Sequence, residues 1–170
     1  MAKVMIVVGS DSDLPVIKGA TDVLRQLEIS YELRISSAHR LPEQTALLAR
    51  EAEEKGIQVI IAGAGMAAHL PGVIAAYTTI PVIGVPIQGG ALQGVDALYS
   101  IVQMPKGIPV ATVAINGAYN AGILAGQMIA LTNPDIAKRL KQMRRAMADE
   151  VKAKDQRLQE IGIEQYIEQR

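Results

Sequence analysis

Short apolar runs alternate with longer stretches of mixed polarity along the whole chain. Lys3–Val8 is a continuous apolar run, as in a strand buried on both faces of a parallel sheet. Gly9 ends it, and Ser10-Asp11-Ser12-Asp13-Leu14-Pro15 has the cap residues and early proline of a helix start. Val16, Ala20, Val23, Leu24 and Leu27 then recur at helical spacing, predicting a helix to about Glu28. Ser30–Ile35 reads as a second strand, and Pro42 opens a second helix that Gly56 closes. Ile57–Ala62, Pro81–Val85 and Pro109–Ile115 read as strands three to five. The segments after them read as a small-residue helix to Tyr77, a helix over Ala91–Val102 and a helix through Leu131. Pro134 starts a charged helix reaching about Gln159, with opposite charges at i, i+4 on a solvated face. The pattern leaves the tail after Gly162 unassigned. Strands that alternate with helices predict an α/β fold, a three-layer flavodoxin-like arrangement around a five-stranded parallel sheet, plus the charged C-terminal helix. No repeat, low-complexity tract or linker interrupts the chain. Residues 1–170 are therefore expected to form one domain, with a core over 1–132 and the helix and tail over 133–170.

Composition narrows the partners. Seventeen basic and seventeen acidic residues give a formal net charge of zero, which argues against nucleic acid or an anionic membrane. There is no cysteine, hence no disulfide framework, thiolate zinc site or cysteine nucleophile, in keeping with a cytoplasmic protein. The N-terminus lacks a signal-peptide layout, and no run of roughly 18 apolar residues provides a membrane span. Histidine aside, the charged residues between Ile57 and Pro134 are Asp96 and Lys106. A surface so poor in charge is expected to meet other subunits, which predicts a homo-oligomer.

Ligands of such folds bind at the carboxyl ends of the strands. Ser10 and Asp13 follow strand one, Ser37, His39 and Arg40 follow strand two, glycines and His69 follow strand three, and Asn116 and Asn120 follow strand five. Both histidines of the chain fall in these turns. Arg40 with Ser37, Ser10 and helix N-termini suits a phosphate. Asp13 suits sugar hydroxyls, although a plain helix cap explains it equally well. His39 is able to act as an acid or base near neutrality, and His69 is either a site residue or a simple helix-start residue. The chain has no P-loop, no complete dinucleotide fingerprint, no nucleophile elbow and no carboxylate cluster. Two histidines without acidic neighbours make a weak metal site.

Four segments carry a resemblance: Gly9–Asp13, Ser37–Pro42, Gly63–Gly72 and Ser100–Pro105. Together they resemble the class I N5-carboxyaminoimidazole ribonucleotide mutases of purine biosynthesis, the PurE family, from strand one to about Leu131. The resemblance implies transfer of a carboxylate from the exocyclic nitrogen of N5-carboxyaminoimidazole ribonucleotide to ring carbon C4. It implies decarboxylation to the aminoimidazole and a trapped CO2, then attack of C4 on that CO2, without ATP, metal or organic cofactor. His39 matches the acid–base histidine. Ser10, Ser37 and Arg40 match phosphate-side ligands, Asp13 the ribose ligand, and Gly65 and His69 the wall around the imidazole and CO2. The resemblance also implies homo-octamers with sites shared between subunits. The chain departs from the pattern at Met66, where the family usually has Gly, at Leu41 in place of Thr, and at Gly89 in place of Ser. Met66 either narrows the pocket or fills a gap in the core. The rival readings are the related carboxylase acting on free CO2, and a non-enzymatic flavodoxin-like or receiver-type module. The shortage of aromatics (five Tyr, no Phe or Trp) and the glycines after strand three disfavour a flavin site or a phospho-acceptor.

Overall fold

The continuous apolar runs become the inner strands of the sheet. In the computed structural model, which describes residues 3–169, β1 (Val4–Val8) is buried along its whole length. It pairs in parallel with β2 (Tyr31–Ile35) on one side and β3 (Val59–Gly65) on the other. β4 (Val82–Ile87) and β5 (Ala111–Thr112) extend the sheet beyond β3, giving the order β2-β1-β3-β4-β5. This is the flavodoxin-like order, which places the β1 and β3 exits at the switch point. Side chains alternate across the pleat. Val4, Ile6 and Val8 pack with α1 (Leu14–Gln26) and α5 (Ala118–Ala130). Met5 and Val7 pack beneath α2 (Pro42–Glu51), α3 (Leu70–Ala75) and α4 (Val95–Val102). The two layers form separate apolar clusters divided by the sheet. α1 and α5 approach closely because Gly122 leaves room: a Cβ there would lie 2.9 Å from the Ala20 carbonyl oxygen.

Several boundaries differ from the sequence pattern, and three of them have a visible physical cause. α4 starts at Val95 rather than Ala91, because Gly90, Gln93 and Gly94 all have positive φ and turn the chain first. β5 is two residues long rather than seven-residue Pro109–Ile115. Pro109 brings no N–H, yet the backbone still tracks β4 through Val113 N–H to the Gly84 carbonyl and Asn116 N–H to the Pro86 carbonyl. The last helix, α6 (Pro134–Glu168), continues past Gln159 and breaks at Gly162, which has φ 73. Arg157, before the break, donates to the side chain of Gln169 beyond it at 2.8 Å, so the last turn leans back on the helix. Ile136 and Met143 anchor α6 to the core; past Met147 it is largely exposed. Among the described residues no helix is long and apolar enough to cross a membrane.

Candidate active site

At the β1 exit the chain turns through a short 3-10 segment, Asp11–Asp13, before α1. The Ser10 hydroxyl accepts from Ser12 N–H at 3.3 Å, and the Asp13 carboxylate accepts from Ser10 N–H at 3.2 Å. This reciprocal cap fixes both side chains. Asp13 does not cap α1 itself, and it is 8% exposed. Burial pushes its carboxyl above the ordinary 3.8; the Ser10 N–H and the Ser12 hydroxyl pull it down, and the nearby Asp11 charge adds to the rise.

The β2 exit is held by a buried hydroxyl pair. Ser36 Oγ and Thr45 Oγ1, both fully buried, lie 2.8 Å apart, and Thr45 also donates to the Leu41 carbonyl at 3.0 Å. Thr45 thus ties the strand end to the first turns of α2. Ser37 closes the turn: its carbonyl accepts from Leu41 N–H at 2.7 Å, and its hydroxyl accepts from Arg40 N–H at 3.3 Å. Arg40 Nη2 donates to the Gly9 carbonyl at 3.3 Å, linking the β2 and β1 exits.

The β3 exit brings the second imidazole. His69 precedes α3 but makes no side-chain cap. Its Nδ1 instead lies 2.8 Å from His39 Nε2, with the rings edge to face and centroids 5.0 Å apart. One nitrogen must donate and the other accept, so the contact accommodates a single N–H between the rings. Gly65 lies against the β4 exit, where a Cβ would stand 3.1 Å from the Ile87 carbonyl oxygen.

These exits surround one cleft of about 620 Å³. The seven residues expected from the sequence and its resemblance to bind or act on the ligand line it: Ser10, Asp13, Ser37, His39, Arg40, Gly65 and His69. Met66 also lines it and is 60% exposed, so of its two readings the core filler is excluded. Gln88 was missed. It reaches the cleft from the β4 exit, and its backbone N–H and side-chain carbonyl are both held by Asn116. Asn116 therefore stands behind the cleft, while Asn120 turns away into the groove between α5 and α6. The Ser100–Pro105 segment also stays outside, with Met104 packed where a Gly72 Cβ would meet it at 3.1 Å. Among the described residues no group of three or more His, Cys, Asp or Glu is placed to hold a metal ion.

The sheet order and the polar cleft at its carboxyl end define a flavodoxin-like α/β protein, with that cleft at the switch point, where such folds bind small ligands. The chain belongs to the AIR carboxylase family, whose profile matches residues 3–150. It is 54% identical over 170 residues to the N5-carboxyaminoimidazole ribonucleotide mutase of Thermotoga maritima, covering 100% of this chain and 99% of that one. It is 53% identical over 163 residues to the phosphoribosylaminoimidazole carboxylase of Candida glabrata, a match spanning 96% of this chain and 29% of that protein. The crystal structure of Treponema denticola PurE superposes with a TM-score of 0.83 at 29% identity, covering 91% of this chain and 97% of that one.

Proposed function

We propose that this chain is an N5-carboxyaminoimidazole ribonucleotide mutase, an isomerase of purine biosynthesis. The observation that carries the reading is the meeting of His39 and His69 at 2.8 Å inside a cleft that also gathers Asp13, Ser10, Ser37 and Arg40. A ribonucleotide needs an anion site, a hydroxyl acceptor and a flat wall, and the three strand exits together supply them. Arg40 with Ser10 and Ser37 holds the phosphate, Asp13 accepts from the ribose hydroxyls, and Gly65 and His69 face the imidazole.

The reaction breaks the bond between the exocyclic nitrogen and the carboxylate carbon. The electron pair stays on nitrogen, which takes a proton, and CO2 is set free in the cleft. The electron-rich C4 then attacks that CO2, and the C4 proton leaves to a base. His39 performs both proton transfers, with His69 accepting or donating the shared hydrogen bond as the charge on His39 changes. Holding CO2 beside C4 replaces a bimolecular encounter by an intramolecular one. In this reading the protein folds as one domain, acts in the cytoplasm as a homo-octamer, and requires no metal or organic cofactor.

The test mixes purified protein with fresh N5-carboxyaminoimidazole ribonucleotide, without ATP and with chelator present. The C4-carboxylated product is followed against free aminoimidazole ribonucleotide. Conversion with little free aminoimidazole supports the mutase. The names of the family and of the Candida glabrata relative favour the carboxylase as the second reading. Product formed from aminoimidazole ribonucleotide and bicarbonate, with none from the carboxyamino substrate, would establish that one instead.

A further inference from the structure

Met66 stands apart from the other residues of the cleft. Its φ is 54, in the left-handed region where a side chain beyond glycine is disfavoured. No core packing compensates, since the residue is 60% exposed. Its side chain reaches from the β3 exit toward the β4 exit: a Cβ placed on Gly90 would lie 3.7 Å from Met66 Cγ and 3.9 Å from Cε. The loop it reaches is braced from behind. Gln88 donates to the Gln93 side chain at 2.7 Å, Gln93 donates to the Gly90 carbonyl at 3.1 Å, and Asn116 holds Gln88 at both ends. A flexible apolar chain in strained backbone thus bridges two lining loops, one of them fixed. Strain of this kind persists where it serves a purpose at a site.

We propose that Met66 is a retention residue: its thioether closes the mouth of the cleft between the β3 and β4 exits and slows escape of the CO2 formed there. The proposal rests on the mutase reading above. CO2 is neutral, so neither Arg40 nor the histidines hold it by charge, and only excluded volume keeps it beside C4. A thioether on rotatable bonds can yield to the incoming ribonucleotide and settle back over a small gas molecule. Each CO2 that escapes leaves one molecule of free aminoimidazole ribonucleotide, so retention is directly countable.

The experiment compares wild type with Met66→Gly and Met66→Ala on the carboxyamino substrate in 13C-bicarbonate buffer. Free aminoimidazole per product, and 13C in the product, are expected to rise about tenfold in both variants, the scale of a modest shift between two competing rates. Met66→Gly should also melt about 2–4 °C higher, because glycine accepts the left-handed backbone. Unchanged partition and labelling in both variants would overturn the proposal. So would a rise confined to Met66→Gly, which assigns the effect to the loop backbone rather than to the side chain. Failure of the wild type to convert the substrate at all overturns the mutase reading and this proposal with it; conversion by the wild type with unchanged variants overturns this proposal alone.

Discussion

The two imidazoles share one hydrogen bond, so His39 has a partner that answers its change of charge without water. His39→Asn keeps a polar amide at that place but has no group able to carry the proton. Turnover is expected to fall by ~100- to 10,000-fold, while ribonucleotide binding by calorimetry and the circular dichroism spectrum stay near wild type. Near-normal turnover would end the acid–base role. Asp13 is a residue whose environment opposes its ionised form. Its carboxyl is raised above 3.8, so the folded chain holds that proton more tightly than the unfolded chain. Its contribution is therefore fully present below pH 3.8 and is lost as pH rises from there through the raised value. Asp13→Asn removes this loss and can still accept from Ser10 N–H. Its melting temperature is expected to gain on wild type as pH rises through that window, and then to stay ahead at neutrality. Ribonucleotide affinity should drop in the same variant. Melting below wild type at neutral pH would contradict the assignment of burial as the main cause.

Between residue and fold, the strand exits decide what the side chains can meet. Continuous apolar runs and the glycines ending them were legible in the sequence because inner parallel strands tolerate little else, and the seven residues chosen from the first three exits line the cleft, whereas Asn116 and Asn120 of the fifth do not. The histidine pair was not legible. It depends on β2 and β3 both flanking β1, which sets their exit loops about 10 Å apart, a span that two imidazoles can bridge. The Asn116–Gln88 pairing escaped for the same reason, since it joins residues from two strand exits. Met66 was suspect in sequence, and its positive φ explains why glycine suits that position. At this scale Thr45 is the positioning residue to test. Thr45→Val leaves the buried Ser36 hydroxyl without its partner, at a cost of about 1–3 kcal/mol. A melting temperature lower by several degrees is expected, with kcat/KM reduced and Thr45→Ser restoring both. Wild-type stability in Thr45→Val would remove the buried pair from the account of this loop.

Across the whole molecule, the charge-poor half also exposes large apolar side chains. Leu92, Val95, Tyr99 and Val102 sit on or beside α4, and Leu131, 86% exposed, ends α5. This agrees with the proposed octamer. Light scattering should give an octamer mass against the 18.1 kDa protomer. Tyr99→Glu combined with Leu131→Glu should yield smaller species with reduced activity. A fully active wild-type monomer would remove the shared-site octamer. The arrangement of the two core layers has its own outcome. Asp13, the proposed sugar ligand, enters from the α1–α5 layer, whereas Ser37, His39, Arg40 and His69 enter from the layer of α2, α3 and α4. A ligand seated in the cleft touches residues of both layers and so ties them together across the carboxyl edge of the sheet.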